Sequence, residues 1–271
     1  MAVSLPLPTL EQHASTGISI LTDDALASSV GIFLGFTGRA GGVSTGAYAG
    51  LNLATHVGDE PALVCANRQL LLDALGVPQA PLIVPNQVHG TELVTLCNSE
   101  ASAVELAKQD AAAGADGLVV SAAGVVALLC FADCLPLVLA APGGQFAVVH
   151  AGWRGAVAGI AGKALQQLCA VAACAPDQVN AYIGPHIRSE CFETGEEVAQ
   201  AFQQRFGVDC VPCARHVSLA AAVAADLQQQ GANPARIADA QVCTRCNPAD
   251  YYSYRATGGT CGRHGAFAAK L

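Results

Sequence analysis

Three apolar segments of the sequence each run into one side chain that can bind a metal. These segments are VPNQVHG, LLCFADCLP and FAVVHAGWRG, and they supply His89, Cys134 and His150. Two imidazoles and one thiolate suit zinc, which binds Cys at ~2.3 Å and His at ~2.0–2.1 Å. Three protein ligands leave a position for water or substrate, whereas structural zinc sites usually have four protein ligands. The pattern therefore predicts a catalytic zinc site at His89, Cys134 and His150.

Other interpretations of the same residues stay open at this point. A histidine at the end of a strand need not bind a metal, because it can have a purely structural role as a hydrogen-bonding group. A single cysteine can likewise be an ordinary buried residue of the hydrophobic core. Cys134 and His150 could also form a metal-free nucleophile and base. Asp133 is a candidate acid or base beside Cys134, although alternation along a strand would point it to the other face.

Other polar motifs are less specific. Arg154 lies in a GWRG turn before a predicted helix, where glycines and an arginine can hold an anion such as phosphate. A local ion pair or a solvated surface position is the alternative for this arginine. Cys210–Cys213 and Cys243–Cys246 are both C-x-x-C pairs, but the 29 residues between them exceed the usual zinc-ribbon spacing. We therefore expect these two pairs not to build a joint site.

Composition excludes several classes of protein. Of the 271 residues, 52% are hydrophobic and 13% are charged, so a membrane span has to be considered. The longest apolar stretch, residues 125–142, is interrupted by Asp133 and Pro136 and is shorter than the ~20 residues that a span needs. The net charge of −8 with no basic stripe argues against a nucleic-acid partner. We expect no membrane association.

The twelve cysteines raise the question of the redox compartment. Disulfide frameworks are typical of short secreted chains, and the N-terminal residues show no basic segment leading into an apolar one. The cysteines are therefore interpreted as mostly reduced and buried, and the protein as cytoplasmic.

Hydrophobic periodicity predicts alternating strands and helices. Several strands are apolar on both faces, which indicates that both faces are covered. The pattern has no internal repeat and no linker, so we expect one α/β (α+β) domain over residues 1–271, with sheets layered against helices. Strands are predicted at residues 18–21, 31–39, 82–88, 117–121, 125–132, 135–140, 146–150, 179–183 and 237–243, and helices at 60–75, 100–113, 156–174, 196–206 and 217–230.

A series of motifs identifies the family that the sequence resembles. GFTGRAGGVSTGAYAGLNLATHVGDEP, ANR, NQVHG, ADGLV, ADCLPLVL, HAGWRG, IGPHI, CFETGEEV and YSYR occur in the order found in the YfiH family. This is the bacterial laccase-domain or polyphenol oxidase family, also called peptidoglycan editing factor. The resemblance covers roughly residues 31–265. It implies an α/β/β/α arrangement of mixed sheets between helical layers, similar to that of a cytotoxic necrotizing factor.

The resemblance also implies an activity and a site. Members look like zinc-dependent purine nucleoside enzymes that phosphorolyse adenosine, inosine and methylthioadenosine and also deaminate adenosine. The family's metal ligands correspond to His89, Cys134 and His150. By the same analogy Arg68 of the ANR segment is a candidate contact for phosphate or substrate, and Arg39 is a further one. The expected partners are purine nucleosides and phosphate, and the expected state is a monomer or a small homo-oligomer.

The sequence departs from the family pattern near its C-terminal end. The usual tail resembles FSYRR followed by TGR, and here it is YYSYRAT followed by CGR. Arg255 and Arg263 are present, but the second arginine of the pair is replaced by Ala256. If that pair contributes to phosphate binding, affinity for phosphate is reduced in this chain.

The family's laccase name conflicts with the histidine content. A blue multicopper oxidase needs a mononuclear copper site and a trinuclear cluster supplied by several H-x-H pairs. This chain has seven histidines and no H-x-H pair. Copper in the His89, Cys134 and His150 site could still give slow polyphenol oxidation as a side activity. Two further hypotheses are a Cys–His hydrolase that edits peptidoglycan precursors and a non-enzymatic protein with a structural metal.

Overall fold

The computed structural model describes residues 4–15 and 17–270, which form two mixed β-sheets with helices on their outer faces. The strands are β1 Glu11–Ser15, β2 Ile18–Thr22, β3 Ile32–Thr37, β4 Leu82–Ile83, β5 Leu93–Leu96, β6 Gly117–Val120, β7 Val126–Phe131, β8 Leu135–Ala140, β9 Phe146–Ala151, β10 Asn180–Ile183, β11 Ile237–Asp239 and β12 His264–Lys270. The α-helices are α1 Asp24–Val30, α2 Pro61–Ala74, α3 Ala101–Ala113, α4 Trp153–Val157, α5 Ile160–Ala172, α6 Glu196–Phe206, α7 Leu219–Gln229 and α8 Tyr254–Thr257.

In the part of the chain that the structure describes, each sheet contains six strands. The first has the order β1-β2-β3-β12-β7-β4 and the second β11-β10-β8-β9-β6-β5. Neighbouring strands are antiparallel except for the three pairs β4 with β7, β5 with β6, and β10 with β11. Consecutive strands β7 and β8 belong to different sheets, and so do β4 and β5. The chain therefore crosses between the sheets at residues 84–92 and 132–134, and it also crosses between β6 and β7 and between β11 and β12.

Alternating side chains of the central strands divide the interior into three apolar layers. Leu129 and Phe131 of β7 meet Val138 and Val148 of the second sheet in the layer between the sheets. The opposite side chains of β7 pack with Leu71 of α2. The opposite side chains of β8 and β9 pack against α5 and α7. This arrangement is the expected α/β/β/α fold. Among the described residues, no helix has both the length and the apolar character needed to cross a membrane.

Two predicted strands end earlier in the structure than the apolar pattern suggests. The strand predicted at 82–88 stops at Ile83, because the following chain leaves the sheet. There the side chain of Gln87 takes the place of a neighbouring strand. Its amide oxygen accepts the Cys130 backbone amide at 2.8 Å, and its nitrogen donates to the Cys130 carbonyl at 2.9 Å. The strand predicted at 237–243 stops at Asp239, since that carboxylate accepts the Gln241 amide and Gln241 has a φ of 56°.

The helix predicted at 156–174 is two helices. Helix α4 begins at Trp153, and Gly159 interrupts the run with a φ of 83°. The buried carboxylate of Asp226 then accepts the amide of Gly162 at 2.7 Å and satisfies the first turn of α5. Because α4 begins at Trp153 and not at residue 156, Trp153 and Arg154 lie in the first turn of a helix instead of in a loop.

Close packing between the sheets generates a testable prediction at Gly184. A Cβ added there would lie 2.2 Å from a ring atom of Phe36, which is buried between the sheets. We expect Gly184→Ala to lower the free energy of unfolding by about 1–3 kcal/mol, as overpacking does. Denaturant unfolding measures this change.

Gly195→Ala is the comparison variant, because no atom lies within 4 Å of its added Cβ. Gly195 is the N-cap of α6, so we expect a loss of no more than about 1 kcal/mol there. Equal losses in the two variants would contradict the assigned packing.

Candidate metal centre and active site

The structure brings His89, Cys134 and His150 together. Their ligand atoms all lie within 4.8 Å of one another, and the Cys134 Sγ is 3.9 Å from the His89 Nε2. The two imidazole rings meet edge to face with centroids 4.8 Å apart. Cys134 lies on the crossover from β7 to β8, His89 on the crossover from β4 to β5, and His150 on β9. The site therefore forms where the chain passes from one sheet to the other.

The carboxylate of Asp116 orients both histidines. It is fully buried and accepts the His150 Nδ1 at 2.8 Å, which leaves Nε2 as the nitrogen that can face a metal. It also accepts the backbone amides of Val88, His89 and Gly90 at 3.3, 2.9 and 2.6 Å. Burial raises the pKa of Asp116, but the hydrogen bonds from His150 and the backbone amides outweigh it and hold that pKa below its ordinary value. A carboxylate behind a ligating histidine is the usual second layer of a zinc site.

Two residues of the site have left-handed backbone conformations. His89 has a φ of 61° and Asp133 a φ of 87°, which is uncommon for residues other than glycine. Such conformations persist where the surrounding contacts fix them, and they are frequent in functional sites. The Asp116 carboxylate fixes the first, because it bonds the amides on both sides of His89.

The second conformation is fixed by contacts of Asp133 itself. Its Oδ1 accepts the Thr244 hydroxyl at 2.6 Å, and its Oδ2 accepts the Arg255 amide at 2.7 Å. Because of the positive φ, simple strand alternation does not apply here, and Asp133 lines the same cavity as Cys134. Asp133 is therefore beside the site, with both carboxylate oxygens already accepting hydrogen bonds.

Gly152 leaves space next to all three candidate ligands. A Cβ at this position would lie 2.8 Å from the His89 ring, 3.4 Å from the His150 ring and 3.5 Å from the Cys134 Sγ. The space that these three residues surround is thus kept open by a missing side chain. Two imidazoles and one thiol around such a space fit zinc, with a fourth position facing the cavity.

Cys134 and His150 form a polarised pair. Burial raises the pKa of the Cys134 thiol, but the charge of His150 and hydrogen bonds from both histidines lower it to about 6. Burial lowers the pKa of His150, but the Cys134 thiolate and Asp116 outweigh this effect and raise that pKa above its ordinary value. The thiolate form needed for metal binding is therefore favoured at neutral pH, and bound metal would replace the proton on His150.

A cavity of about 380 Å³ opens over the three residues. Such a volume suits a small-molecule substrate. Aromatic side chains of Trp153, Phe192 and Tyr254 line it together with the arginines Arg154, Arg255 and Arg263. The Arg154 guanidinium lies 4.3 Å from the ring centre of Trp153. The cavity thus offers flat apolar surfaces beside positive charge.

The predicted arginines occupy different places. Arg154 lines the cavity, and Arg68 lines a smaller adjoining one that shares His56, Gln87 and Cys130 with it. The guanidinium of Arg39 lies outside the cavity over the three residues. It donates to the carbonyls of Pro248 and Ala49 and covers the ring of Tyr252 at 4.6 Å.

Sequence reasoning missed an electropositive group between the two cavities. Burial lowers the pKa of His56, and the charges of Arg263, Arg68 and His89 lower it further. The charges of the same two arginines also lower the pKa of the Cys130 thiol, although burial outweighs them and raises that pKa to about 11. Arg263 therefore converges with Arg68 and His56, although it lies far from both in sequence. Asp116 was also missed, and the ADGLV motif was its one sequence signal.

Comparisons with known proteins agree with the fold. Residues 33–270 match the profile of a family described as multi-copper polyphenol oxidoreductase laccase. The chain is 36% identical over 226 residues to "Adenosine deaminase RL5" of an unknown prokaryotic organism, covering 80% of this chain and 86% of the relative. It is 38% identical over 233 residues to a purine nucleoside phosphorylase of Deinococcus radiodurans, covering 84% and 85%.

A solved structure extends the likeness to the whole fold. The crystal structure of YlmD from Geobacillus stearothermophilus superposes with a TM-score of 0.84 at 31% identity, covering 97% of this chain and 99% of that one. Mixed sheets between helices are thus shared with this neighbour.

The space beside Gly152 generates a prediction about metal binding. We expect Gly152→Ala to weaken zinc binding by at least about tenfold, because the added carbon displaces the His89 ring by several tenths of an ångström and ligand geometry is strict. Competition with a chromogenic chelator measures the affinity. Gly90→Ala is the matched control, since its Cβ would meet neighbours only at 3.5 and 3.6 Å. Unchanged zinc affinity in Gly152→Ala would contradict the placement of the metal.

Proposed function

This chain belongs to the family described as multi-copper polyphenol oxidoreductase laccase, and on that premise we propose that it is a zinc-dependent purine nucleoside enzyme. The proposed reactions are phosphorolysis of adenosine, inosine and methylthioadenosine, and deamination of adenosine. Relatives named as a purine nucleoside phosphorylase and an adenosine deaminase support this class of activity. The observation that carries the proposal is the convergence of His89, Cys134 and His150 beneath a cavity of about 380 Å³.

His89, Cys134 and His150 would hold the zinc. When bound there, zinc supplies a Lewis acid that lowers the pKa of water and polarises a substrate atom. Asp116 sets the orientation of the His150 imidazole and fixes the backbone that carries His89, and Gly152 keeps the space between the ligands clear. Copper could occupy the same three residues and give a minor polyphenol oxidase activity. A multicopper oxidase needs several copper sites. The described residues form a single group in which two histidines lie with a cysteine, so this donor set does not provide for such an enzyme.

The aromatic side chains of the cavity would bind the purine. Trp153, Phe192 and Tyr254 present apolar surface, and a planar base gains stacking and burial energy on such rings. The Arg154 guanidinium on Trp153 places positive charge at the rim, where it can contact substrate polar atoms or phosphate. Sequestering the base in this way excludes water from the bond to be broken.

Phosphate would bind at Arg68 and Arg263. Their charges act together on His56 and Cys130, so the region between the two cavities favours an anion. Phosphorolysis joins a phosphate oxygen to C1′ of the ribose while the bond from C1′ to the purine breaks, and the leaving purine takes up a proton. Fixed guanidinium groups lower the barrier by positioning the phosphate and stabilising developing charge.

Asp133 is the proposed group for proton transfer. Its carboxylate lines the cavity next to Cys134 and is held in place by hydrogen bonds from the Thr244 hydroxyl and the Arg255 amide. A carboxylate there can accept a proton from water and return it to the leaving ammonia during deamination. We also propose that the enzyme acts in the cytoplasm, and its twelve free cysteines support a reducing compartment.

The direct test compares the wild type with Cys134→Ala. We expect the wild type to convert adenosine to adenine in phosphate buffer and to inosine without phosphate. Both activities should fall by at least about 100-fold in the variant, because the metal loses its thiolate ligand. Liquid chromatography of products and zinc content per chain are the two measurements. A wild type that carries no metal and turns over no nucleoside would contradict the proposal.

The polarised pair favours a second candidate function, a Cys–His hydrolase acting on peptidoglycan precursors. A thiolate at Cys134 with His150 as base could attack an amide or ester carbonyl without any metal. The two candidates differ in their inhibitors. A chelator abolishes the zinc-dependent activity but spares hydrolysis by a metal-free thiolate, whereas brief thiol alkylation without a chelator abolishes hydrolysis and spares Cys134 where it is bound to zinc. Loss of activity on chelation, restored by zinc, is the expected result.

The proposed phosphate contact generates a separate prediction. We expect Arg263→Gln to raise KM for phosphate by about 10–100-fold, which corresponds to loss of a charged hydrogen bond of about 1.5–3 kcal/mol. Adenosine deamination measured without phosphate should stay unchanged. Arg39→Gln is the control, because its guanidinium already donates to two carbonyls outside the cavity. A parallel loss of both reactions in Arg263→Gln would refute a phosphate-specific role.

A further inference from the structure

A second group of metal-binding side chains lies outside the site described above. It consists of the thiols of Cys191, Cys243 and Cys246 and the carboxylate of Glu190, and all four ligand atoms lie within 4.8 Å of one another. The other C-x-x-C pair, Cys210 and Cys213, does not belong to this group. Cys243 and Cys246 are joined instead by Cys191, which no sequence motif connected with them. We propose that this group binds a structural zinc ion.

The sulfur spacing fits zinc better than a disulfide. The Cys191 Sγ is 3.4 Å from the Cys246 Sγ. Thiolates bound tetrahedrally at ~2.3 Å are separated by ~3.8 Å, whereas a disulfide brings its sulfur atoms to ~2.05 Å. A small outward movement of the exposed Cys246 side chain would reach the zinc geometry. Three thiolates and a carboxylate complete the four protein ligands typical of a structural site.

The local backbone is arranged for thiolate ligands. The amide of Arg188 points at the Cys243 Sγ at 3.5 Å, and such a donor helps to stabilise a sulfur anion. The turn that carries the C-x-x-C pair is closed by two bonds from Asn247 to the Cys243 carbonyl, at 2.8 Å from the side chain and 3.2 Å from the backbone. Cys243 and Cys246 are therefore held on one side of a tight turn, with Cys191 facing them from another segment.

A metal here would tie together two irregular segments behind the active site. Residues 184–195 follow β10, and residues 240–253 follow β11. Between the two segments, the structure shows a short bridge in which His186 bonds the backbone of Val242 and Thr244. Thr244 holds Asp133, and Phe192, next to Cys191, lines the cavity. Zinc at the cysteines would thus fix the positions of two residues that line the cavity, Asp133 through Thr244 and Phe192 through Cys191.

Zinc analysis of the full-length protein purified without chelator tests the proposal. The variants are Cys134→Ser, Cys246→Ser, the double variant, and the control Cys213→Ser, which alters an exposed cysteine outside both groups. We expect two zinc ions per chain in the wild type and in Cys213→Ser, one in each single-site variant and none in the double variant. The proposal does not rest on nucleoside chemistry, because the zinc content of Cys134→Ser reports on the second site by itself and that of Cys246→Ser reports on the first.

Cobalt titration of the Cys134→Ser protein provides a second measurement that needs no change in the cluster. We expect an intense thiolate-to-cobalt charge-transfer band from three sulfur ligands, and loss of this band in the double variant. A wild-type zinc content that Cys246→Ser leaves unchanged would overturn the proposal. An unreduced protein two hydrogens lighter than the sequence mass, with a Cys191–Cys246 disulfide found by peptide mapping, would also overturn it.

Discussion

The candidate metal site depends on one buried carboxylate. Asp116 is fully excluded from solvent, and it stays ionised because an imidazole and three backbone amides donate to it. The bond to His150 fixes which nitrogen is offered to a metal. The amide bonds fix the crossover loop that presents His89 in its left-handed conformation. Its own backbone also bonds Glu92 and His150, so the carboxylate is anchored between the strands that it organises.

The position of the site follows from the way the chain moves between the sheets. Within a sheet, backbone groups satisfy one another, and the central strands are apolar on both faces. A polar site can form where this backbone pairing is interrupted, and the crossovers from β4 to β5 and from β7 to β8 interrupt it at the same end of the two sheets. Cys134 and His89 lie on these crossovers, and His150 lies near the end of β9 beside them. The missing side chain at Gly152 leaves room for an ion, while the opening above it is lined by aromatic rings and arginines.

Much of this could be predicted from residue patterns. The continuous apolar runs predicted β7, β8 and β9 almost to the residue, and the types of His89, Cys134 and His150 predicted a common site, at which the structure brings the three side chains together. The strand expected at 82–88 was wrong, because the side chain of Gln87 takes over backbone pairing, and no period in the sequence reveals that substitution. The break at Gly159 was missed for a similar reason, since the Asp226 carboxylate that supports it comes from another helix.

Functional residues that act across long sequence distances were the hardest to predict. Asp116 precedes a strand like an ordinary turn residue, and only the folded chain shows that it touches both histidines. The convergence of Arg68 with Arg263 and that of Cys191 with the C-x-x-C pair have the same origin. Each depends on sheet topology, and a single sequence does not encode topology in local spacing. The residue types were visible in the sequence, whereas the partners required the structure.

The most direct test of the central claim is the zinc affinity of Asp116→Asn. The amide cannot accept from all four donors, so both histidines lose their orientation, and we expect zinc affinity to fall by about 10–100-fold. Asp59→Asn is the matched control, because Asp59 is a buried carboxylate that accepts Ser44, Asn52 and a backbone amide without touching the site. Circular dichroism and thermal unfolding establish that both variants are folded. A folded Asp116→Asn protein that binds zinc as tightly as the wild type would contradict the account.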